Sequence, residues 1–234
     1  MSVVRNRILD VARVGVVVLA IAAPFAFWPT YLSKSASSID TLTHIHALTM
    51  VLWLFLLVLQ PTLVHLGYRK PHRAIGKSSF LLVPLILALA LAVMHLHLQH
   101  DSVEKIREEA SEWYVVPAMA AVFAVAYGLA LANRRQAALH GFYMLCTALA
   151  FVNPILQRLL ESMQLVRGDA PQQLVSFVLV DVILIAIAAH QPGQPQIRRG
   201  AATMLLVFLI FEVPRYTFAY TDTWYDALIW FRAL

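Results

Sequence analysis

Nine histidines stand against only thirteen acids in this chain. Neutral imidazole is a good ligand for zinc, copper and haem iron, and the ring exchanges protons near neutral pH. Five of the nine, His44, His46, His95, His97 and His100, sit where two apolar stretches begin or end. Four others, His65, His72, His140 and His190, sit at the opposite ends of such stretches. His44 and His65 bracket one stretch, and the 21 residues between them make about 31 Å of helix. The histidines therefore form two groups on opposite sides of a membrane-thick layer. On a helix, His97 and His100 share a face, whereas His44 and His46 point about 200° apart. The expected metal ligands are drawn from His44, His46, His97 and His100, with one imidazole of His44 or His46 and the face formed by His97 and His100 converging on one bound metal or haem iron.

Carboxylates complete that chemistry. Glu108, Glu109 and Glu112 follow the first group closely. Glu112 is the candidate base, or the group that orients a ligating ring. Glu212 and Arg215, three residues apart in an apolar stretch, are expected to pair on one helix face and to belong to the catalytic set. Asp181 lies mid-stretch with no cation near it in sequence, so it needs a proton or a partner from another element. No HxxxH or HExxH pair occurs, so helical zinc-hydrolase signatures are absent, as is the histidine-box pattern of membrane di-iron hydroxylases. The single cysteine, Cys146, removes any intramolecular disulfide framework and any Cys-rich metal site.

The elements that hold these groups follow from composition. The 234 residues are 60% hydrophobic and 13% charged, with a mean hydropathy of +0.71. A soluble domain carries about 25% charged residues, so this chain cannot coat a water-facing surface. A membrane helix needs about 20 mostly apolar residues. Seven stretches qualify: Val11–Leu32, Thr41–His65, Ile75–His100, Trp113–Ala132, Ala138–Leu160, Leu174–His190 and Ala201–Tyr220. They are continuously apolar rather than alternating, which favours helices over barrel strands. The expected fold is all-α: one seven-span membrane bundle over 1–234, ending in a short interfacial helix at 222–234 rich in aromatic residues.

Charge sets the expected orientation. The N-terminus and the second, fourth and sixth loops hold eleven cations and one acid, whereas the opposite side holds seven cations and eleven acids. The positive-inside rule places the N-terminus inside and the C-terminus outside. The net charge of +5 then reflects topology and contact with anionic lipid, not nucleic acid. The expected location is the bacterial inner (plasma) membrane, multi-pass. The first five histidines then lie at the outer, periplasmic face.

The stretch His44–Leu82 reads HIHALTMVLWLFLLVLQPTLVHLGYRKPHRAIGKSSFLL. A span opening with His, a Gln near its inner end and a basic His-Arg-x-x-Gly loop resemble a group of bacterial polytopic membrane proteins. That group in turn resembles the transmembrane b-type cytochromes, which move electrons between ascorbate-like donors and acceptors. Leu139–Arg158, with His140, Tyr143, Met144, Pro154 and Arg158, resembles a later span of the same group. The likeness covers about a third of the chain. It implies that His44 or His46, together with His72 and His140, match candidate haem or metal ligands. The b-type cytochromes differ in having fewer core helices and histidine pairs at mid-helix.

Three functions compete on this reading. The first is a metal- or haem-binding membrane redox protein, an oxidoreductase using haem b or a transition metal (iron, copper or zinc) with a small-molecule or quinone-like partner. The second is a non-redox metalloenzyme with a His/Glu site. The third is a carrier of metal, haem or lipid without catalysis.

Overall fold

The computed structural model describes residues 7–189 and 193–234, with the side chains of 7–12 left aside. Among the described residues the chain is all-helical, without strands. The helices are α1 (Arg7–Ala26), α2 (Thr41–His65), α3 (Arg69–Gly76), α4 (Ser79–His100), α5 (Val103–Glu108), α6 (Ala110–Trp113), α7 (Val115–Ala132), α8 (Ala137–Leu149), α9 (Val152–Ser162), α10 (Asp169–Ala189), α11 (Pro195–Glu212) and α12 (Asp222–Arg232).

Among the described residues six segments are long and apolar enough to cross a membrane: Thr41–His65, Arg69–His100, Ala110–Ala132, Ala137–Ser162, Asp169–Ala189 and Pro195–Tyr220. The first expected span, Val11–Leu32, is not one continuous helix. Its apolar part within α1 is the shorter Arg13–Ala26, and a π-helical turn follows at Trp28–Leu32. Pro24 and Pro29 account for the change, since each removes a backbone donor and crowds the carbonyl four residues back.

Prolines also set two other breaks. Pro154 cannot donate to Ala150, and the chain kinks between α8 and α9 with a tightened Phe151 N–H to Ala148 O bond of 3.0 Å. Pro214 ends α11, and the chain continues as the 3₁₀ turn Val213–Tyr216. At the end of α2, Gly67 takes φ +82°, and the Tyr68 N–H reaches back to Leu63 O at 2.8 Å. This left-handed cap turns the chain into α3. A short helix thus stands where the sequence reads as a loop, carrying Arg69, Lys70, His72 and Arg73.

Two cores hold the bundle. One gathers Val122, Ala126, Phe142, Leu184, Met204 and Phe208 from α7, α8, α10 and α11. The other gathers Val16, Trp53, Leu57, Ile86, Phe123 and Phe151 from α1, α2, α4, α7 and the α8–α9 kink. Trp53 is fully buried, packs edge-on against Phe123 and donates its indole N–H to the Thr147 hydroxyl at 3.1 Å. Gly200 lets α11 approach α8 closely: a Cβ there would lie 3.1 Å from Leu139 and 3.2 Å from Phe142. Large apolar side chains such as Phe25, Val51, Phe55, Leu81, Val182 and Leu206 stay exposed around the bundle, as a lipid-facing surface requires.

A short helix stands where one was expected at 222–234: α12, Asp222–Arg232. It straps the ends of α4, α5 and α6. Leu228 is buried with Met94, Leu98 and Ile106, and the Trp224 indole N–H donates to Ala110 O at 2.6 Å.

Candidate functional site

The five histidines of the first group share one end of the bundle, and α2 and α4 are neighbours there. Their rings have separate employments. His44 uses both nitrogens, Nδ1 accepting from the Tyr31 hydroxyl at 2.7 Å and Nε2 donating to Ala36 O at 3.1 Å. His46 turns to another side of α2 and is part-buried, with no hydrogen-bond partner at Nδ1. His95 donates from Nδ1 to Phe231 O at 3.0 Å and accepts from the Gln99 amide at 2.9 Å. His97 donates from Nδ1 to Val93 O at 2.8 Å, lies beside Trp113 and is within charge range of Asp40. His100 is exposed at the end of α4. Among the described residues no three His, Cys, Asp or Glu side chains come together as a metal would need. His44, His46, His97 and His100 thus form no group of three within themselves.

At the basic end the outcome differs. His65 is exposed, and His190 lies outside the described residues. His72 and His140, 68 residues apart in sequence, come close enough for charge on one ring to be felt at the other. Two elements achieve this: the glycine cap that folds α3 back, and the packing of α7 against α8. The His140 Nδ1–H donates to Ala130 O at 2.8 Å, which fixes the ring and leaves Nε2 with its lone pair. His72 is held by Gln60. With the amide turned as the surrounding groups require, its nitrogen donates to His72 Nδ1 and, at 3.0 Å, to His72 O, while its oxygen accepts from the Gly76 N–H at 3.1 Å. In a neutral ring this puts the His72 proton on Nε2. At the start of α4, the Ser79 hydroxyl meets the Tyr127 hydroxyl at 2.8 Å.

His140 therefore has the form of a ligand: one nitrogen anchored to a carbonyl, the other free. His72 fits an iron or other metal only after its proton moves to Nδ1 and Gln60 turns its amide to accept it. His140 as it stands offers a lone pair at Nε2, and His72 joins it on a metal only after that exchange.

The remaining expected residues lie at the acidic end. Glu212 and Arg215 do not form a pair. Arg215, 1% exposed, donates from Nε to Gln173 Oε1 and from Nη1 to the Tyr220 hydroxyl at 3.1 Å. Glu212, 4% exposed, lies within charge range of Asp181 of α10, and its Oε1 has no hydrogen-bond partner. The i,i+3 argument assumed a continuous α-helix, whereas the chain past Pro214 is 3₁₀ and carries Arg215 to a different side. Glu112 hydrogen-bonds to Asp169, with Glu109 and Arg215 within charge range. Sequence reasoning passed over Asp169, Gln173, Ser111 and Tyr220. The adjacent Gln172 and Gln173 at the start of a membrane-length helix were the available signal, because two buried amides there need partners.

Compared with models of known protein families, with curated proteins and with solved structures, the chain matches none.

Proposed function

We propose that the protein is a multi-pass inner-membrane redox protein that binds haem or a transition metal, with His72 and His140 as its ligands. On this reading α1 is a seventh span, the basic end faces the cytoplasm, and the acidic end faces the periplasm. The observation that carries the proposal is that His72 and His140 lie within charge range of each other, each ring fixed through its own neighbour. When bound, such a group supplies a one-electron couple. The chain's own residues hold and orient it: Ala130 O fixes His140, Gln60 governs the His72 tautomer, and Arg73 lies beside His72 to attract an anionic or quinone-like partner.

A second reading keeps the metal at the acidic end. It is favoured by His97, whose Nδ1 anchor on Val93 O leaves Nε2 free within range of Asp40. One preparation separates the two. The visible spectrum and metal content per chain are measured for wild type, His72→Ala, His140→Ala, His46→Ala and His97→Ala. Loss in the first two variants alone supports the basic-end site, and loss in the last two alone supports the acidic-end site. A wild-type chain purified from membranes without metal or visible absorption would overturn both.

A further inference from the structure

Two clefts open at the basic end of the bundle, and neither is lined by His72 or His140. One, of about 400 Å³, lies at the α7–α8 turn beside Arg134 and Arg135. The other, of about 340 Å³, lies between α8 and α11 and is lined by Leu139, Tyr143, Gln196, Arg199, Gly200 and Thr203. The second has the more specific construction. Its wall on the α8 side is Leu139 and the buried Tyr143. On the α11 side Gly200 presents bare backbone, and a Cβ there would stand 3.1 Å from Leu139.

The open edge of this cleft continues as a single face of α11. Gln196, Arg199, Thr203, Leu206 and Ile210 follow one another at alternating steps of three and four residues, which aligns them on a helix. All five are exposed. The face is graded along its length. An amide and a guanidinium stand at the basic end, and a hydroxyl follows about 6 Å further in. Leu206 and Ile210, 59% and 56% exposed, then occupy about the next 10 Å. Arg199 is also available to a ligand. Its neighbour Arg198 donates from Nε to Ala188 O at 3.0 Å, whereas Arg199 makes no hydrogen bond or ion pair among the described residues. The described acidic side chains stand on elements at the other end of the bundle or, for Asp181 and Glu212, within it, so no carboxylate among them competes for this cation.

We propose that the α8–α11 cleft binds one anionic phospholipid, with Arg199 as the phosphate ligand. The planar guanidinium donates paired N–H groups to two phosphate oxygens, and the Gln196 amide adds a further donor. The Thr203 hydroxyl stands at the depth of the ester groups and donates to an ester carbonyl. An acyl chain lies along Leu206 and Ile210. A basic cleft between membrane helices suits an anionic headgroup, and the apolar continuation of the same face selects a lipid over a free phosphate, which would engage only the Arg199 end. The site does not rest on the redox reading.

Native mass spectrometry of the full chain in detergent micelles tests this, with phosphatidylglycerol and phosphatidylcholine supplied in equal amounts. The wild type should retain phosphatidylglycerol in preference to phosphatidylcholine. Arg199→Gln should lower its occupancy about fivefold or more, the worth of one cation beside an anionic lipid. Lys77→Gln removes the same charge from an exposed position elsewhere at the basic end and should leave occupancy unchanged. Glycerol 3-phosphate, a headgroup without chains, should displace the lipid only in large excess. Three results would overturn the proposal: no preference for phosphatidylglycerol in wild type, equal losses in Arg199→Gln and Lys77→Gln, or displacement by glycerol 3-phosphate at equal concentration. The second would reduce the effect to general attraction by a basic surface, and the third would make the cleft a site for a free phosphate. The first and third are read on wild type alone, so they do not depend on how the variants fold.

Discussion

Asp40 closes the N-terminus of α2. Its carboxylate accepts the Thr43 backbone N–H at 2.7 Å and the Thr43 hydroxyl at 2.6 Å. Slight burial pushes its pKa up, but the Thr43 bonds and the nearby His97 outweigh this, and the net shift is below the usual 3.8. A carboxyl whose pKa is depressed on folding contributes stability above its unfolded value and loses it as pH falls through the folded value. Asp40→Ala should therefore lower the thermal midpoint in detergent at pH 6, by an amount equal to about 1 kcal/mol. The gap between variant and wild type should close below pH 3. A gap that persists in acid would mean that the side chain acts by packing and not as a charged cap. Trp53 offers a neutral counterpart. Thr147→Val leaves its buried indole N–H without an acceptor, at a cost of about 1–3 kcal/mol. Trp53→Phe in the Thr147→Val background should then cost less than in wild type, and additive losses would show that the bond contributes nothing.

At the scale of elements, the strap α12 separates packing from charge. Its exposed Arg107–Asp222 ion pair at 3.0 Å is the most visible contact, but exposed pairs contribute little. Leu228, 1% exposed, fills the core between α4, α5 and α6. Leu228→Ala should cost about 2–5 kcal/mol and expose α12 to protease, whereas Asp222→Asn should leave the cleavage rate unchanged. The reverse pattern would make α12 an electrostatic latch. The membrane-length segments from Thr41 to Tyr220 were legible in the sequence because an uninterrupted apolar run of that length has few alternatives. The breaks were not, since Pro154 and Pro214 alter the helical phase only locally and their effect depends on what the next turn can bond. That local change is why Glu212 and Arg215 separate despite a spacing that suits a pair. The candidate site was half legible for a similar reason. His72 and His140 stood out by residue type and by the His-Arg-x-x-Gly pattern, but their coming within charge range depends on α3 folding back and on α7 packing against α8, which no local signal encodes. The separate bonding of His95 has the same origin, because Phe231 reaches it from a distant segment, whereas Tyr31 and Ala36 reach His44 from the stretch just before α2.

For the whole molecule, the open question of topology turns on α1. Six crossings from Thr41 to Tyr220 would leave the chain before α2 and after α11 on one side. Adding α1 as a crossing puts its start on the other. Three features favour the crossing. The apolar part of α1, Arg13–Ala26, is followed closely by the apolar turn Trp28–Leu32, which lengthens the apolar run. It packs against α2, α8 and α9, burying Val16 and Ala26, while Val14, Val18, Ile21 and Phe25 stay exposed as a lipid-facing stripe would. Its far end is fixed at the acidic face, because Tyr31 just past it bonds His44 at the start of α2. The basic groups Arg69, Lys70, Arg73, Lys77, Arg134 and Arg135 then all sit at the end opposite the acids, and the positive-inside rule directs that end to the cytoplasm. A reporter that is active only in the periplasm, fused after Leu234, should therefore give signal. The same reporter fused after Arg135 should be silent. Signal after Arg135 with silence after Leu234 would invert the bundle. Signal at both sites, or at neither, would mean that the crossings between them are even in number, and Ala137–Ser162, with its kink at Pro154, would be the segment to re-examine.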